Sequence, residues 1–362
     1  MEIITYVMAG FMLLAALDRI FGNRFGLGAE FENGILLLGT MSLSMVGMII
    51  IAPLLAEWMR PLFDLLPSWI DPSILTAAVF ANDMGGGPLS VSVARNADIG
   101  AFNAMVVSSM MGCTVSFTIP FGLGGTPQEC HREMLLGLLC GIVTIPLGCF
   151  AGGIVCGLAP LVLLVDLAPL LLFSAVIAVG ILLVPDLCIK IFHIVGAVIK
   201  IIITIGLAVG IFRFLTGVEL LPHTDTLENG IGIVVNACAV MTGTFPMICL
   251  LSKVLDRPLR VVGRRLGISE RSALGFVSSL ATSVTTFSMM GDMDRRGIVL
   301  NAAFLVSAGF VFTDHFAFTM AYRPEYLGAV VIGKLTAGVL ALCVAAIAAR
   351  KTEKSEQILK KY

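Results

Sequence analysis

Charge is scarce along this chain. Asp, Glu, Lys and Arg make up 13% of its 362 residues, where soluble domains carry about 25%. With 58% apolar residues and a mean hydropathy of +1.00, there is too little polar surface to cover a core in water. The net charge of −1 says nothing about nucleic acid, and no basic, aromatic-rich stretch suggests it as a partner. The N-terminus opens with Glu2 and has neither a basic n-region nor a small-residue cleavage site, so it reads as a retained span. The nine cysteines form no CxxC or Cys/His spacing, and all but Cys130 lie inside apolar segments. Disulfides, structural zinc and a bound cofactor are therefore not expected. No nucleophile–base spacing or metal motif accompanies the polar residues, which disfavours an intramembrane enzyme.

What the chain has instead is apolar runs of about twenty residues, each matching a hydrocarbon core of about 30 Å. Spans are expected at 3–20, 34–56, 101–120, 135–157, 167–184, 189–215, 230–251, 299–320 and 326–349. Two further segments differ. Segment 72–94 carries ANDMGGGP at its centre, and segment 272–291 carries ATSVTTFS. Such interrupted segments, one in each half of a chain, point to a transporter binding site.

The positive-inside rule suggests how they lie. The basic loop 253–271, the tail from Arg350, and Arg295 and Arg296 all belong on the cytoplasmic side. If 272–291 crossed the bilayer, Arg295 and Arg296 would face the wrong way, so a re-entrant hairpin is expected. About ten residues per arm at 1.5 Å each would reach about 15 Å, the bilayer midplane. Reading 72–94 likewise puts the N-terminus outside and the C-terminus inside. Of 23 Lys and Arg, only Arg60, Arg95 and Arg323 then fall outside, with Lys200, Arg213 and Lys334 within spans.

The expected fold class is an all-α polytopic membrane protein of about nine transmembrane helices plus two re-entrant helical hairpins, with an inverted repeat. Span, hairpin, span, span occurs over 34–157 and, inverted, over 230–349, within one transport domain 1–362. Residues 1–33 and 158–229 supply additional helices. FAND at 80–83 lies over LATS at 280–283, and FNAMVVSS from Phe102 over LNAAFLVS from Leu300. This is an alternating-access architecture for a small-molecule solute. Small-xxx-small patterns on several spans leave a homo-oligomer open.

The candidate site follows from cost. A carboxylate at a hairpin tip costs several kcal/mol unless it meets a cation, a donor or water, so Asp83 leads, with Asn82 beside it. The plain alternative is that Asp83 caps the second arm. Gly85, Gly86 and Gly87 let the backbone unwind and approach a ligand, and Pro88 restarts the helix. The second tip offers Thr282, Ser283, Thr285 and Thr286, whose hydroxyls would bind a solute or satisfy freed backbone groups. Asp314 and His315 lie in the outer half of 299–320, where they would balance a cation and exchange a proton, or pair structurally with Lys334. The run Ser108, Ser109, Thr114, Ser116 and Thr118 reads as interhelical glue or as the lining of a path.

The stretch Asn82-Asp83-Met84-Gly85-Gly86, SSMMG followed by SFTIPFGLG, and GIVTIPLGCFAGG from Gly141 resemble the ethanolamine-utilisation permease family, EutH. So do ITIGLA from Ile203, GTFPM at 243–247, MMGDMDRRG from Met289, SAGF with TDHFAF around Asp314 and His315, and GKLTAG from Gly333. The likeness runs in order along nearly the whole chain. It implies uptake of ethanolamine across the bacterial cytoplasmic membrane, with proton or sodium coupling left open. Such a solute is mainly a cation at neutral pH, since a primary ammonium titrates well above 7, as that of Lys does at about 10.4. Asp83, Asp314, Phe80, Phe287, Phe316 and the Thr/Ser tip would supply its carboxylate, aromatic face and hydrogen bonds. The chain departs from the family pattern at Thr282 and Ser283, where paired asparagines are usual, and at Asn82, where a cysteine is. Those departures leave another small amine open; a nucleoside-like solute and a channel-like facilitator stand as further alternatives.

Overall fold

The computed structural model describes residues 2–359, with side chains except at positions 2, 189, 255–262, 264 and 351–359. Arg257, Arg260 and Arg264 of the basic loop, and the lysines of the tail, lie outside the described side chains. Every regular element among the described residues is helical. Seven helices are long and apolar enough to cross a membrane, or eight if a pair bent by 43° makes one span. The chain is a polytopic membrane protein.

In chain order the elements are α1 (Glu2–Ile20), α2 (Leu27–Phe63), α3 (Ser73–Val79), α4 (Gly87–Val93), α5 (Ala97–Gly125), α6 (Gln128–Val155), α7 (Pro160–Asp166) and α8 (Ala168–Leu183). They continue with α9 (Pro185–Thr216), α10 (Leu227–Leu266), α11 (Glu270–Ala281), α12 (Ser283–Met289), α13 (Arg295–Ala308), α14 (Asp314–Tyr322) and α15 (Leu327–Leu359). The bent pair is α7 and α8.

Helix α5 forms the centre. Its apolar window is 83% buried, against 17% for α1 and 28% for α9. Small residues permit this closeness. A Cβ on Gly137 or Gly141 of α6 would meet backbone atoms of Val299 or Ala303 in α13, and one on Gly148 would meet Ala337 of α15. Lipid supplies no hydrophobic drive between helices, so close backbone approach and dispersion hold the bundle together.

Polar caps set where α5 and α13 begin. Asn96 accepts from the amides of Asp98 and Ile99 at 2.9 and 3.1 Å and starts α5. Asp294 accepts from the Gly297 amide at 3.0 Å and starts α13. The same two regions fasten the flanking helices. Asp71, before α3, accepts from the amides of Arg95 and Asn96, after α4, at 3.0 and 2.9 Å. Asp294, after α12, accepts from the Ser269 amide before α11 at 2.8 Å and from the Ser272 hydroxyl at 2.6 Å. Each helix pair therefore begins and ends at one place. Between the arms, Thr76 and Ser90 share a hydrogen bond of 2.8 Å, and Ser279 and Thr286 one of 3.0 Å.

Two details differ from the expectations of the sequence. The arms α3 and α4 have seven residues each, about 10 Å long at 1.5 Å per residue, shorter than expected. The span at 299–320 is also not one helix. It breaks over residues 309–313, because the amides of Phe310 and Phe312 leave the helical ladder for the carbonyls of Ser279 and Leu280, at 3.1 and 3.2 Å.

Candidate functional site

The two tips and the break in 299–320 come together against α5. At the first tip the chain leaves α3 through extended backbone at Phe80 and Ala81, then forms a wide turn over Asn82–Gly86. Gly85 takes φ 102°, a conformation open to glycine. The freed groups find partners. The amides of Met84 and Gly86 donate to the Ala81 carbonyl at 3.1 and 2.7 Å, and Ser108 donates to the Phe80 carbonyl. The Ala81 amide donates to Ser116 Oγ at 3.2 Å. A Cβ on Gly86 or Gly112 would collide with the Phe80 carbonyl, so α5 is notched where the tip crosses it. Helix α5 widens there into π turns over Asn103–Gly112 and Thr114–Thr118, a feature frequent at functional sites. Pro88 lies in the first turn of α4, as expected of a restart.

At the second tip, α11 ends at Ala281 and Thr282 caps α12 by accepting from the Val284 amide at 3.3 Å. The Ala281 carbonyl accepts from the Thr313 hydroxyl. Phe310 links the tips: its amide bonds the Ser279 carbonyl of the second, and its ring packs with Ala81 and Cys113, with Met84 alongside, at the first. It holds φ 59°, an outlying conformation for a bulky residue that costs about 1–3 kcal/mol and persists where the surroundings impose it.

Around Phe310 sit the ionisable groups. His315, 1% exposed, places Nε2 at 3.9 Å from Asp83 Oδ1. Its ring centroid is 5.6 Å from that of Phe310. Asp314 is close enough to Asp83 for their charges to interact, as is Lys334 of α15. Lys334 is buried and donates to the Ser109 carbonyl of α5 at 2.7 Å. Its bond goes to backbone, so it is not a private partner of Asp314.

Several buried polar atoms here have no hydrogen-bond partner. They are Oδ1 and Nδ2 of Asn82, Oγ of Ser283 and Nδ1 of His315. Asn82 and Ser283 are fully buried. Leaving a buried polar atom unsatisfied costs about 1–3 kcal/mol, and such groups concentrate where a ligand completes them.

The sequence candidates therefore separate. Asn82, Asp83, Ser283, Asp314 and His315 border one region through the tips and the break. Thr282 serves as a cap, Thr286 bonds across the arms, and Thr285 is exposed on the outer face of α12. Phe287 packs on Gly122 and Phe121, and Phe316 lies with Met8 and Leu327. Phe80 joins the group of Met48 and Ile203. The rings of Phe310 and Phe117, 5.5 Å apart and edge-on, pack with Ala81 and Met84 of the first tip. Phe310 lay inside an apolar run and had no signal beyond Gly309 before it. Asp83, Asp314, His315 and Lys334 bring both charge signs and an imidazole into one region.

Known relatives extend over the same length. A probable ethanolamine permease EutH of Listeria monocytogenes is 40% identical over 358 residues, covering 98% of this chain and 96% of that protein. A probable ethanolamine permease EutH of Salmonella typhimurium is 34% identical over 398 aligned positions, covering 98% and 97%. An uncharacterized Bacillus subtilis protein, YxeR, is 35% identical over 347 residues, covering 95% and 94%. No solved structure matches the chain. The family model described as "Ethanolamine utilisation protein, EutH" matches residues 1–348, and the chain belongs to that family.

Proposed function

We propose that the chain is a permease that takes up ethanolamine across the bacterial cytoplasmic membrane by alternating access. The observation that carries this reading is Asn82, fully buried with both amide atoms unpartnered, next to Asp83 and its neighbours His315, Asp314 and Lys334. A primary ammonium bearing one hydroxyl would meet the Asp83 carboxylate and give Asn82 and Ser283 the partners they lack. The names of the Listeria and Salmonella relatives support the same solute. The solute crosses chemically unaltered.

In this reading α3–α4 and α11–α12 are re-entrant hairpins, opening outward and inward respectively. The joining of each hairpin's two ends at Asp71 and at Asp294 supports it. The halves 34–157 and 230–349 are inverted repeats. Asn96 and Asp294 cap corresponding helices, and Asn103 and Asn301 both reach back to a hairpin's first arm, at Ser73 and Ser272. The N-terminus lies outside and the C-terminus inside. Rocking of one repeat against the other would expose the tips to each side in turn.

The test is uptake of labelled ethanolamine into proteoliposomes at pH about 6, against protein-free vesicles. Saturable, protein-dependent uptake with counterflow is expected. Non-saturable flux would indicate an open pore, and no excess over empty vesicles with correctly inserted protein would remove ethanolamine as the solute.

A further inference from the structure

A second set of unpartnered polar atoms lies away from the tips, where α3 begins. Four residues form a continuous chain there. Asp71 Oδ1 accepts from the Ser73 hydroxyl at 2.6 Å, Ser73 Oγ accepts from Asn103 Nδ2 at 3.0 Å, and that same amide reaches Asp166 Oδ1 at 3.2 Å. The two carboxylates are not equivalent. Asp71 is saturated: besides the Ser73 hydroxyl it receives the amides of Ser73, Arg95 and Asn96. Asp166 has Asn103 alone, and its Oδ2 is buried without a partner. Asn103 Oδ1 is likewise unpartnered. Asn103 is completely buried and Asp166 is 6% exposed. Two open acceptor oxygens on hydrogen-bonded neighbours, one of them a carboxylate oxygen, suit a positive ion.

The corresponding asparagine in the other half isolates the feature. Asn301 gives its amide hydrogens to the carbonyls of Ser272 and Gly297, at 2.8 and 2.9 Å, and not to a carboxylate. Asp166 comes from α7, outside the two repeats, so the charged arrangement belongs to the first hairpin. A groove of about 410 Å³ leads to it, lined by Trp69, Asp71, Arg95, Asn96 and Asp166 among others. The Arg95 guanidinium does not fill the site, since it is spent on the carbonyls of Phe63, Leu66, Pro67 and Ile70.

We propose that Asp166, Asn103 and Ser73 form a binding site for a small monovalent metal cation of the sodium type, entered from the groove beside Trp69. The donors are all oxygen and carry one open charge, which suits a hard monovalent ion. A transition metal is not called for, since no group of three or more His, Cys, Asp or Glu among the described residues is arranged to hold one. Asp166 ends α7, Asn103 stands in α5 and Ser73 opens α3, so an ion here fastens the mouth of the first hairpin to two neighbouring helices. Its role as a coupling ion rests on the permease reading; its binding does not.

The experiment uses the full chain purified in detergent, unfolded by heat in sodium, lithium, potassium or choline chloride at constant ionic strength and pH 7. Sodium is expected to raise the midpoint saturably over choline, as a ligand of the folded state does. In a Trp58→Phe background it should also shift the emission of Trp69. Asp166→Asn should remove both responses. Asn103→Ser, which keeps an oxygen, should weaken apparent affinity by about tenfold, or 1.4 kcal/mol. Equal midpoints in all four salts, or an undiminished sodium response in Asp166→Asn, would overturn the site. A response to pH alone would overturn it too, in favour of a proton. Proteoliposomes keep the two readings apart. Uptake without any ion response removes the site and leaves the permease, whereas an ion response without uptake leaves the site and removes the permease. Uptake driven by an inward sodium gradient, lost in Asp166→Asn, is the result expected of coupling.

Discussion

His315 Nε2 lies 3.9 Å from Asp83 Oδ1, joining the start of α14 to the turn between α3 and α4 across 232 positions of sequence. The contact is longer than a hydrogen bond and the aspartate side chain keeps 17% exposure, so the pair is close without being closed. A cation that inserts at Asp83 need not first break a tight ion pair.

Asp83→Asn removes the proposed counter-charge while keeping shape. Uptake efficiency should fall by about 100- to 1,000-fold, matching the 2–5 kcal/mol typical of losing one partner of a buried charge pair. Labelled-solute uptake measures it. Full saturable uptake in this variant would end the assignment of Asp83.

Asn82→Ala distinguishes a ligand-binding amide from a structural one. The amide has no protein partner to lose, so removing it should leave the thermal midpoint unchanged or raise it, by up to about 1–3 kcal/mol of relieved desolvation. Uptake should nevertheless weaken. A clear drop in midpoint would instead make Asn82 a structural residue.

Lys334→Met deletes a buried cation from a group that contains Asp83 and Asp314. Removal of one partner leaves uncompensated buried charge, at a cost of about 3–5 kcal/mol. Combining it with Asp83→Asn should recover part of that loss. Simple additivity of the two midpoint shifts in thermal unfolding would show that the two charges are not coupled.

Gly85→Ala places a Cβ at φ 102°, against the Met48 side chain. The strained backbone alone costs about 1–3 kcal/mol. Gly39 is the matched control, because a methyl added there would have nothing within 4 Å, and Gly39→Ala should be silent. Thermal midpoints of the two variants decide it.

Asp294 gives the α11–α12 region a pH dependence. Partial burial pushes its carboxyl up, but hydrogen bonds from Ser272, the Ser269 and Gly297 amides and the Ser269 hydroxyl outweigh this and hold it below the ordinary carboxylate range. Its stabilisation is therefore complete above the unfolded value of about 3.9 and is lost as pH falls through the lower folded value. Asp294→Ala should cost about 1–2 kcal/mol at pH 7 through the lost cap. The difference from wild type in midpoint should shrink below pH about 4.

Much of this was legible in the sequence because the bilayer is a strict solvent. Few charges, apolar runs of span length and two interrupted segments were enough to give an all-helical membrane protein and to single out ANDMGGGP and the Thr/Ser tip. Asp83 stood out because an unmatched carboxylate inside a span is costly wherever it points. The order of motifs was enough for the family resemblance. Composition had no means of announcing that 299–320 breaks at Phe310. An apolar run reads as continuous until another segment competes for its amides, and the carbonyls of Ser279 and Leu280 are brought there only by packing. Tertiary structure likewise separated Thr282, a cap, from Ser283, which is buried and unpartnered, though they are neighbours of similar chemistry. It packed Phe310 and Phe117 against the first tip, Phe287 on Phe121, and Phe316 with Met8 and Leu327. It also set Asp166 beside Asn103 and left two of their oxygens without partners. Hydropathy and charge are local sums that a sequence fixes by itself, whereas hydrogen-bond satisfaction depends on which distant groups arrive, and that is settled only by the folded chain.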